Sequence, residues 1–464
     1  MKTSGYTHRF LARFVIEAET PLAVGSGEKD ILTDALVATD VNGLPYIPGT
    51  AIAGVVRHMI EEIKPEDFNV NKIFGFQDKK DGRGSEIIFT EAKILNSKGE
   101  VVDGMNLKSK EDSLLKYYDE LPIRQHVRIN EKGVTDKSGK FDEQVCFAGT
   151  RFCFELEMVA KCETIDNFNK ILEQVQRQTF RIGGGTRSGF GKIKVVDLQT
   201  KTLDLTKQEQ RKEYLEKSSS LNSDFWDSKY HKPESNDKND GRVKYELKLQ
   251  PEDFFLFGSG FGDEEADMTP VKGKKVVWKE DKGELSEDLV LIPATSVKGA
   301  LAHRVAFHYN RLKERFAGCT GDKEPKVGNE NEAVQVLFGY ENQEAKKQVR
   351  GNLLFSDVIE DKRLEDKILN HVAIDRFTGG AIDGALFQEK TTYAKGQEFT
   401  LTILANEKVL KGEKIQESLE TAMIDICKGL LPLGGGVNRG NGTFTGTLSV
   451  DDVEIYPEDK RKEV

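Results

Sequence analysis

The chain repeats itself, and this limits its folds more than any composition figure does. YIPGTAIAGVVRH at 46–58 matches LIPATSVKGALAH at 291–303, IFGF at 73–76 matches LFGY at 337–340, and GSEIIFTEAKI at 84–94 matches GNLLFSDVIED at 351–361. QHVRI at 125–129 then pairs with NHVAI at 370–374, GTRFCFELEM at 149–158 with GQEFTLTIL at 396–404, and GGGTRSGFG at 183–191 with GGGVNRGNG at 434–442. Blocks in one order, roughly 250 residues apart, mark a tandem duplication. At 464 residues the chain is also too long for one ordinary core. Two units follow, expected at 1–198 and 243–449. The segment 199–242 is rich in Lys, Glu, Ser, Asn and Asp and reads as a solvated linker, and 450–464 reads as a charged tail.

Each unit carries the same pattern of periods. FLARFVIEAE and VKYELKLQ alternate apolar and polar residues as half-buried strands do. After IPGT and IPAT the spacing turns helical, through Ile52, Val55, Val56 and Met59 and through Val297, Leu301 and Val305. Thr50 and Ser296 are candidate N-caps, with Pro48 and Pro293 just upstream. FCFELEM and FTLTIL alternate again, a second helical stretch follows, and a closing strand comes after each glycine loop. The order β-α-β…β-α-β, twice, predicts an α+β chain on a ferredoxin-like plan.

No run of about 18 apolar residues occurs, so no membrane span is expected. The N-terminal MKTSGYTHRFLARF lacks an apolar core or cleavage site, and a cytoplasmic location is expected. The five cysteines form no CxxC pair, which argues against a disulfide framework and a cysteine-rich zinc site. A net charge of −10 weighs against nucleic-acid binding unless basic residues are concentrated on one face.

The two GGGxxxGxG loops are the strongest chemical signal. A P-loop needs Ser or Thr after its lysine, and GFGKIK has none. A Rossmann loop opens a helix after a strand, whereas these follow a helix and precede a strand. A turn at positive φ accounts for one or two glycines, not for five in register in both copies. Bare backbone flanked by Arg187, Lys192 and Arg439 fits close approach by a phosphate chain.

With these motifs in one order, the chain resembles the RAMP superfamily, the backbone subunits of type III CRISPR–Cas effector complexes. Two fused units look like the double backbone subunits of the type III-D branch. The resemblance implies tandem ferredoxin-like (RRM-like) RAMP domains with thumb hairpin insertions. It implies binding of guide RNA and target RNA beside other type III effector subunits. It further implies endoribonuclease cleavage of the target by a loop aspartate in each unit. TDALVATDVNGLPYIPG (33–49) puts Asp34 at that place, and ADMTPVKGKKVV (266–277) points to Asp267. Asp267 stands 26 positions before Pro293 whereas Asp34 stands 14 before Pro48, so KEDKGELSED reads as an insertion.

The implied reaction is attack of a ribose 2′-OH on its adjacent phosphate, which needs an in-line geometry. An aspartate of ordinary pKa near 4 is a weak base. It would orient the hydroxyl or hold a divalent cation, magnesium or manganese, with Glu28, Asp30, Asp263 and Glu264 nearby in sequence. The thumbs correspond to HVRINEKGVTDKSGKFDEQ (126–144) and HVAIDRFTGGAIDGALFQE (371–389). The second supplies Arg376 and Phe377 as RNA contacts, and the first has Asn130, Glu131 and Lys132 at the equivalent places. His126 and His371 read as packed structural residues.

The resemblance also assigns RNA contacts to Thr50 and Arg57 in the first helix and to Ser296, Lys298 and Arg304 in its counterpart. In the loops it assigns Gly183, Gly184, Gly185, Arg187, Ser188 and Lys192, then Gly434, Gly435, Gly436, Asn438 and Arg439. The first copy has Ala53 where the second has Lys298. Two rival readings share this fold: a catalytically silent RNA-binding scaffold, and a ribonuclease that processes the guide precursor.

Overall fold

Alternate residues Phe10, Ala12, Phe14 and Ile16 of β1 (His8–Ala18) are buried, as a strand packed beneath helices requires. The computed structural model describes residues 5–31, 33–79, 81–130, 132–226, 241–342, 347–361 and 364–457. After β1 come α1 (Gly49–Ile63), β2 (Ile87–Phe89), and a hairpin of β3 (Ile123–Ile129) and β4 (Thr135–Gln144). The unit closes with β5 (Arg151–Ala160), α2 (Ile165–Val175) and β6 (Ile193–Asp204). Ile52, Val56 and Ile60, four apart on α1, pack with Phe168 and Ile171 of α2 over the β1 and β5 side chains. The sheet order is β2-β5-β1-β6, antiparallel throughout.

The second unit repeats this plan after α3 (Gln208–Glu216). It runs β7 (Arg242–Pro251), a small hairpin of β8 (Val276–Lys279) and β9 (Lys282–Leu285), α4 (Ala294–Leu312) and β10 (Leu353–Leu354). A long hairpin follows, β11 (Glu365–Ile374) and β12 (Ala381–Tyr393), then β13 (Phe399–Asn406), α5 (Ile415–Cys427), β14 (Phe444–Val450) and β15 (Val453–Tyr456). Its sheet order is β10-β13-β7-β14-β15, the same order with one strand added at the edge. Tyr245, Leu247 and Leu249 of β7 meet Val297, Leu301 and Val305 of α4 in a separate core. The predicted insertion KEDKGELSED begins inside the β8–β9 hairpin.

Three sequence expectations need correction. Residues 199–226 are not a solvated linker: β6 runs to Asp204, α3 follows, and Leu221 and Trp226 are buried against the outer face of the first sheet. Glu155 on that face accepts hydrogen bonds from Trp226 Nε1 and from Lys217 Nζ, the latter at 2.6 Å. The rest of the expected linker, 227–240, lies outside the described residues. The start of the tail is strand β15, paired with β14, and residues 458–464 lie outside the described residues. Thr50 and Ser296 do not cap their helices, which begin at Gly49 and Ala294 with no side-chain cap from the preceding proline. In α4 a distant residue supplies the cap: Asp357 Oδ1 accepts from Ala294 N at 2.8 Å.

The same aspartate joins the units. Its carboxylate is buried and ion-paired with Arg124 of β3, also buried. Burial pushes the Asp357 carboxyl above its ordinary pKa, while Arg124 and the Ala294 N–H act against that. Around this pair, Arg181 donates to Phe355 O at 2.7 Å and Ser356 Oγ at 3.0 Å, and Arg187 Nε donates to Gly351 O at 2.6 Å. The β8–β9 hairpin clasps the first unit from another side. Trp278 Nε1 donates to Gly149 O at 2.7 Å, and the Arg151 guanidinium lies 4.2 Å from its ring centre.

Replacing Asp357 by alanine leaves Arg124 buried without its partner and α4 without its cap. We expect a loss of about 3–5 kcal/mol in chemical denaturation. Arg124→Met combined with Asp357→Leu should recover most of it.

Candidate nucleic-acid interface

Each unit sends out one hairpin, and at the base of each hairpin sits one of the sequence-predicted aspartates. Ala35 pairs in parallel with Glu143 of β4, and Met268 pairs in parallel with Glu389 of β12. Asp34 and Asp267 immediately precede these two residues. Asp34 Oδ2 accepts from Asp142 N at 3.0 Å, and Asp267 Oδ2 accepts from Gln388 N at 2.8 Å. Both are exposed. The two carboxylates therefore occupy matching register positions, although their distances to the following helix differ in sequence.

The neighbouring hairpin residues tie this base to the rest of the unit. Glu389 is fully buried; its carboxylate pairs with Arg439 and accepts from Asn441 Nδ2 at 2.9 Å, with His371 Nε2 at 3.1 Å. Burial raises the Glu389 pKa, but the Arg439 and Asn441 hydrogen bonds outweigh it and hold the group below its ordinary value. In the first unit Glu143 Oε1 lies 2.9 Å from His126 Nε2. Each histidine also stacks on a hairpin phenylalanine, Phe141 or Phe387. Both are thus packed between a ring and a carboxylate, as their apolar contexts implied.

The acidic residues considered as metal ligands have other partners or stand apart. Asp263 pairs with Lys390 Nζ at 2.6 Å, and this lowers its pKa. Asp30 Oδ1 accepts from Thr33 N at 2.6 Å, and Glu28 and Glu264 are exposed. Among the described residues no three His, Cys, Asp or Glu side chains converge on one point.

The glycine loops are built alike. Gly184 N donates to Ala23 O and Gly435 N to Leu256 O, both at 2.7 Å, which presses each loop onto the chain just after the first strand. A Cβ on Gly183 would stand 2.4 Å from Ala23 O, and one on Gly434 2.5 Å from Leu256 O. At Gly191 and Gly442 it would stand 2.1 and 2.0 Å from the carbonyls of Ile182 and Leu433. Packing of the turn thus explains more of the repeated glycines than the sequence reading allowed, and this corrects it. The loops differ at one position. Gly189 is wedged against Asp357 and Ala294 of the second unit, whereas Gly440 faces open space.

The remaining predicted contacts divide into two groups. Thr50, Gly183 and Arg187 line one groove at the seam, and Lys298 Nζ reaches Ser188 Oγ at 3.4 Å beside it. Burial, then the nearby Arg187 charge, lowers the Lys298 pKa. Ser296 is half-buried on the same helix, one turn from its start. Other side chains are engaged elsewhere. Arg57 binds Glu61, Gly75 O and Asn71, Arg304 pairs with the buried Asp425, and Lys192 pairs with Glu19. Arg439 is turned to Glu389, while Asn438 beside it and Gly435 and Gly436 before it belong to the open loop. Gly185 packs on Phe190.

At the second hairpin tip Asp375 Oδ1 accepts from Phe377 N at 2.9 Å and Thr378 N at 2.7 Å, which leaves Arg376 exposed and Phe377 98% exposed. Asn130 plays the same part in the first hairpin, accepting from Lys132 N and Val134 N. Glu131 lies outside the described residues.

A family model described as the RAMP superfamily matches residues 15–194 and 229–445, one stretch for each unit. The chain belongs to the RAMP superfamily. RAMP proteins are associated with the RNA-binding subunits of CRISPR–Cas systems, so RNA and other CRISPR components are the partners of this family in general. Comparison with curated proteins gives no match. Among the described residues no helix is long and apolar enough to cross a membrane.

Alanine at the two kinds of loop position should behave differently. Gly191→Ala drives a methyl onto Ile182 O at φ +74 and should cost more than about 2 kcal/mol. Gly440→Ala meets open space, and only its positive φ opposes it, at about 1 kcal/mol. Thermal melts of the two variants check this.

Proposed function

We propose that this RAMP protein is a double backbone subunit of a type III CRISPR effector complex, which binds guide RNA and cuts complementary target RNA at two places. The matching register of Asp34 and Asp267, each exposed at the foot of an outward hairpin, is the observation that carries this reading. Strand order and connectivity support two ferredoxin-like units, the scaffold on which such hairpins act as thumbs.

The exposed Phe377, held at its tip by Asp375, is a wedge for separating stacked bases. A nucleotide displaced there rotates about its backbone, and its neighbour's 2′-OH can line up with the P–O5′ bond. The 2′ oxygen then bonds to phosphorus, P–O5′ breaks, and the products are a 2′,3′-cyclic phosphate and a 5′-OH end. Asp34 or Asp267 accepts a hydrogen bond from the attacking hydroxyl and orients it, while the hairpin N–H at its Oδ2 holds the carboxylate still.

A magnesium or manganese ion, with one of these carboxylates and RNA oxygens as ligands, would supply charge stabilisation at the phosphate. The chain itself offers no cage for it, so no step is derived through the ion.

The test is cleavage of labelled target RNA by the assembled complex. Asp34→Ala and Asp267→Ala should each remove a different product, by about 100-fold or more, with target binding retained. EDTA should stop both cuts. Survival of every product in the double variant would make the subunit a silent scaffold. Cutting of a free repeat hairpin instead of the duplex would make it a guide-processing nuclease.

A further inference from the structure

The seam groove brings together cations that the two sequence copies, read singly, do not. Arg177, Arg181 and Arg187 come from the end of the first unit's second helix and its glycine loop. Arg242, Arg350 and Lys408 come from the second unit. Thr50, Gly54 and His58 of α1 form one wall, and the cavity measures about 660 Å³. Glu62 is the sole carboxylate in the lining, 3.8 Å from Arg242.

Arg181 is the least expected member. It is 5% exposed, its two terminal nitrogens are bonded to Phe355 O and Ser356 Oγ, and its Nε is buried without a hydrogen-bond partner. Burial pulls its pKa down to about 10, with Arg187 and Arg242 adding to the effect and Glu19 opposing it. Burial, then Arg350 and Arg242, also lowers Arg187. Guanidiniums this close repel one another in the empty protein, and an anion in the groove would reverse that cost.

The second glycine loop has no such set. With Gly183 aligned on Gly434, Arg177 becomes Lys428, Thr179 becomes Leu430, Arg181 becomes Pro432, Thr186 becomes Val437 and Arg187 becomes Asn438. Arg439 is the one arginine of that loop, and it is paired with Glu389.

We propose that the seam groove is a binding site for adjacent backbone phosphates of single-stranded RNA, built jointly by both units, and that the second glycine loop does not duplicate it. This rests on the RNA-binding part of the proposed function and not on cleavage. Arg242 and Arg350 are the joint contribution of the second unit, and the bonds they make leave them at the groove: Arg242 to Asn352 O, Arg350 to His58.

The experiment uses the full chain and a fluorescein-labelled twelve-nucleotide single-stranded RNA, titrated by anisotropy over a salt series. Arg242→Gln with Arg350→Gln should weaken binding about tenfold or more and reduce the salt slope by about 1.4, near 0.7 for each lost phosphate contact. Lys428→Gln with Asn438→Ala, in the second loop, should change neither quantity. Thermal melts verify that both double variants are folded.

Unchanged affinity and slope in the Arg242/Arg350 variant, with wild-type binding intact, overturn this inference alone. An equal loss in the second-loop variant overturns the asymmetry. A wild-type chain that binds no RNA overturns the inference together with the RNA-binding reading. If that chain binds inorganic pyrophosphate or ATP in the groove, the site belongs to a free polyphosphate instead.

Discussion

The carboxylate of Asp357 is the point on which the two units depend. It satisfies the first free N–H of α4, a group that a helix end otherwise leaves to water, and it meets Arg124 from the other unit in a buried pair. One side chain thereby ends a helix and closes an interface. Its neighbour across the seam is a glycine for a geometric reason: a Cβ on Gly189 would come within 2.3 Å of Asp357 Oδ1. Helix start, glycine loop and hairpin base are consequently held in one arrangement. The groove beside them takes its shape from both units.

The duplication preserves backbone more faithfully than chemistry. Both loops press onto the chain after the first strand by the same 2.7 Å hydrogen bond, and both hairpins hold an aspartate from one backbone N–H. Side chains then diverge. In the second unit the consecutive residues Gln388, Glu389 and Lys390 bind Asp267, the glycine loop and the acidic loop at Asp263 and Glu265. In the first unit the corresponding Gln144 uses its Oε1 on Val37 N at 3.1 Å. Backbone hydrogen bonds fix the register of a fold, while the side chains over them are free to change partner. This is why the net charge of −10 coexists with a groove lined almost wholly by cations.

Much of the fold was legible because it is periodic and local. Ile52, Val56 and Ile60 declare a buried helix face, and the alternation in β1 and β7 declares strands. The repeat set the element order of one unit against the other. The aspartates were legible through the motif around Asp34, with Asp267 following from the second copy. Capping was not legible, because the residue that caps α4 lies 63 positions downstream of the helix start. The strap over the first sheet was misread because its composition is polar. Two apolar side chains, Leu221 and Trp226, were enough to seat it.

The sequence by itself determined the duplication, the period of every main element, the two glycine turns and the residue types at the feet of the hairpins. Each of these is written within a few consecutive residues. Only the tertiary structure decided which arginines face a common groove, which are neutralised by carboxylates, and which of two matching glycines is buried. Those outcomes depend on groups brought together from opposite ends of the chain, such as Arg181 and Phe355, and no local pattern records that meeting.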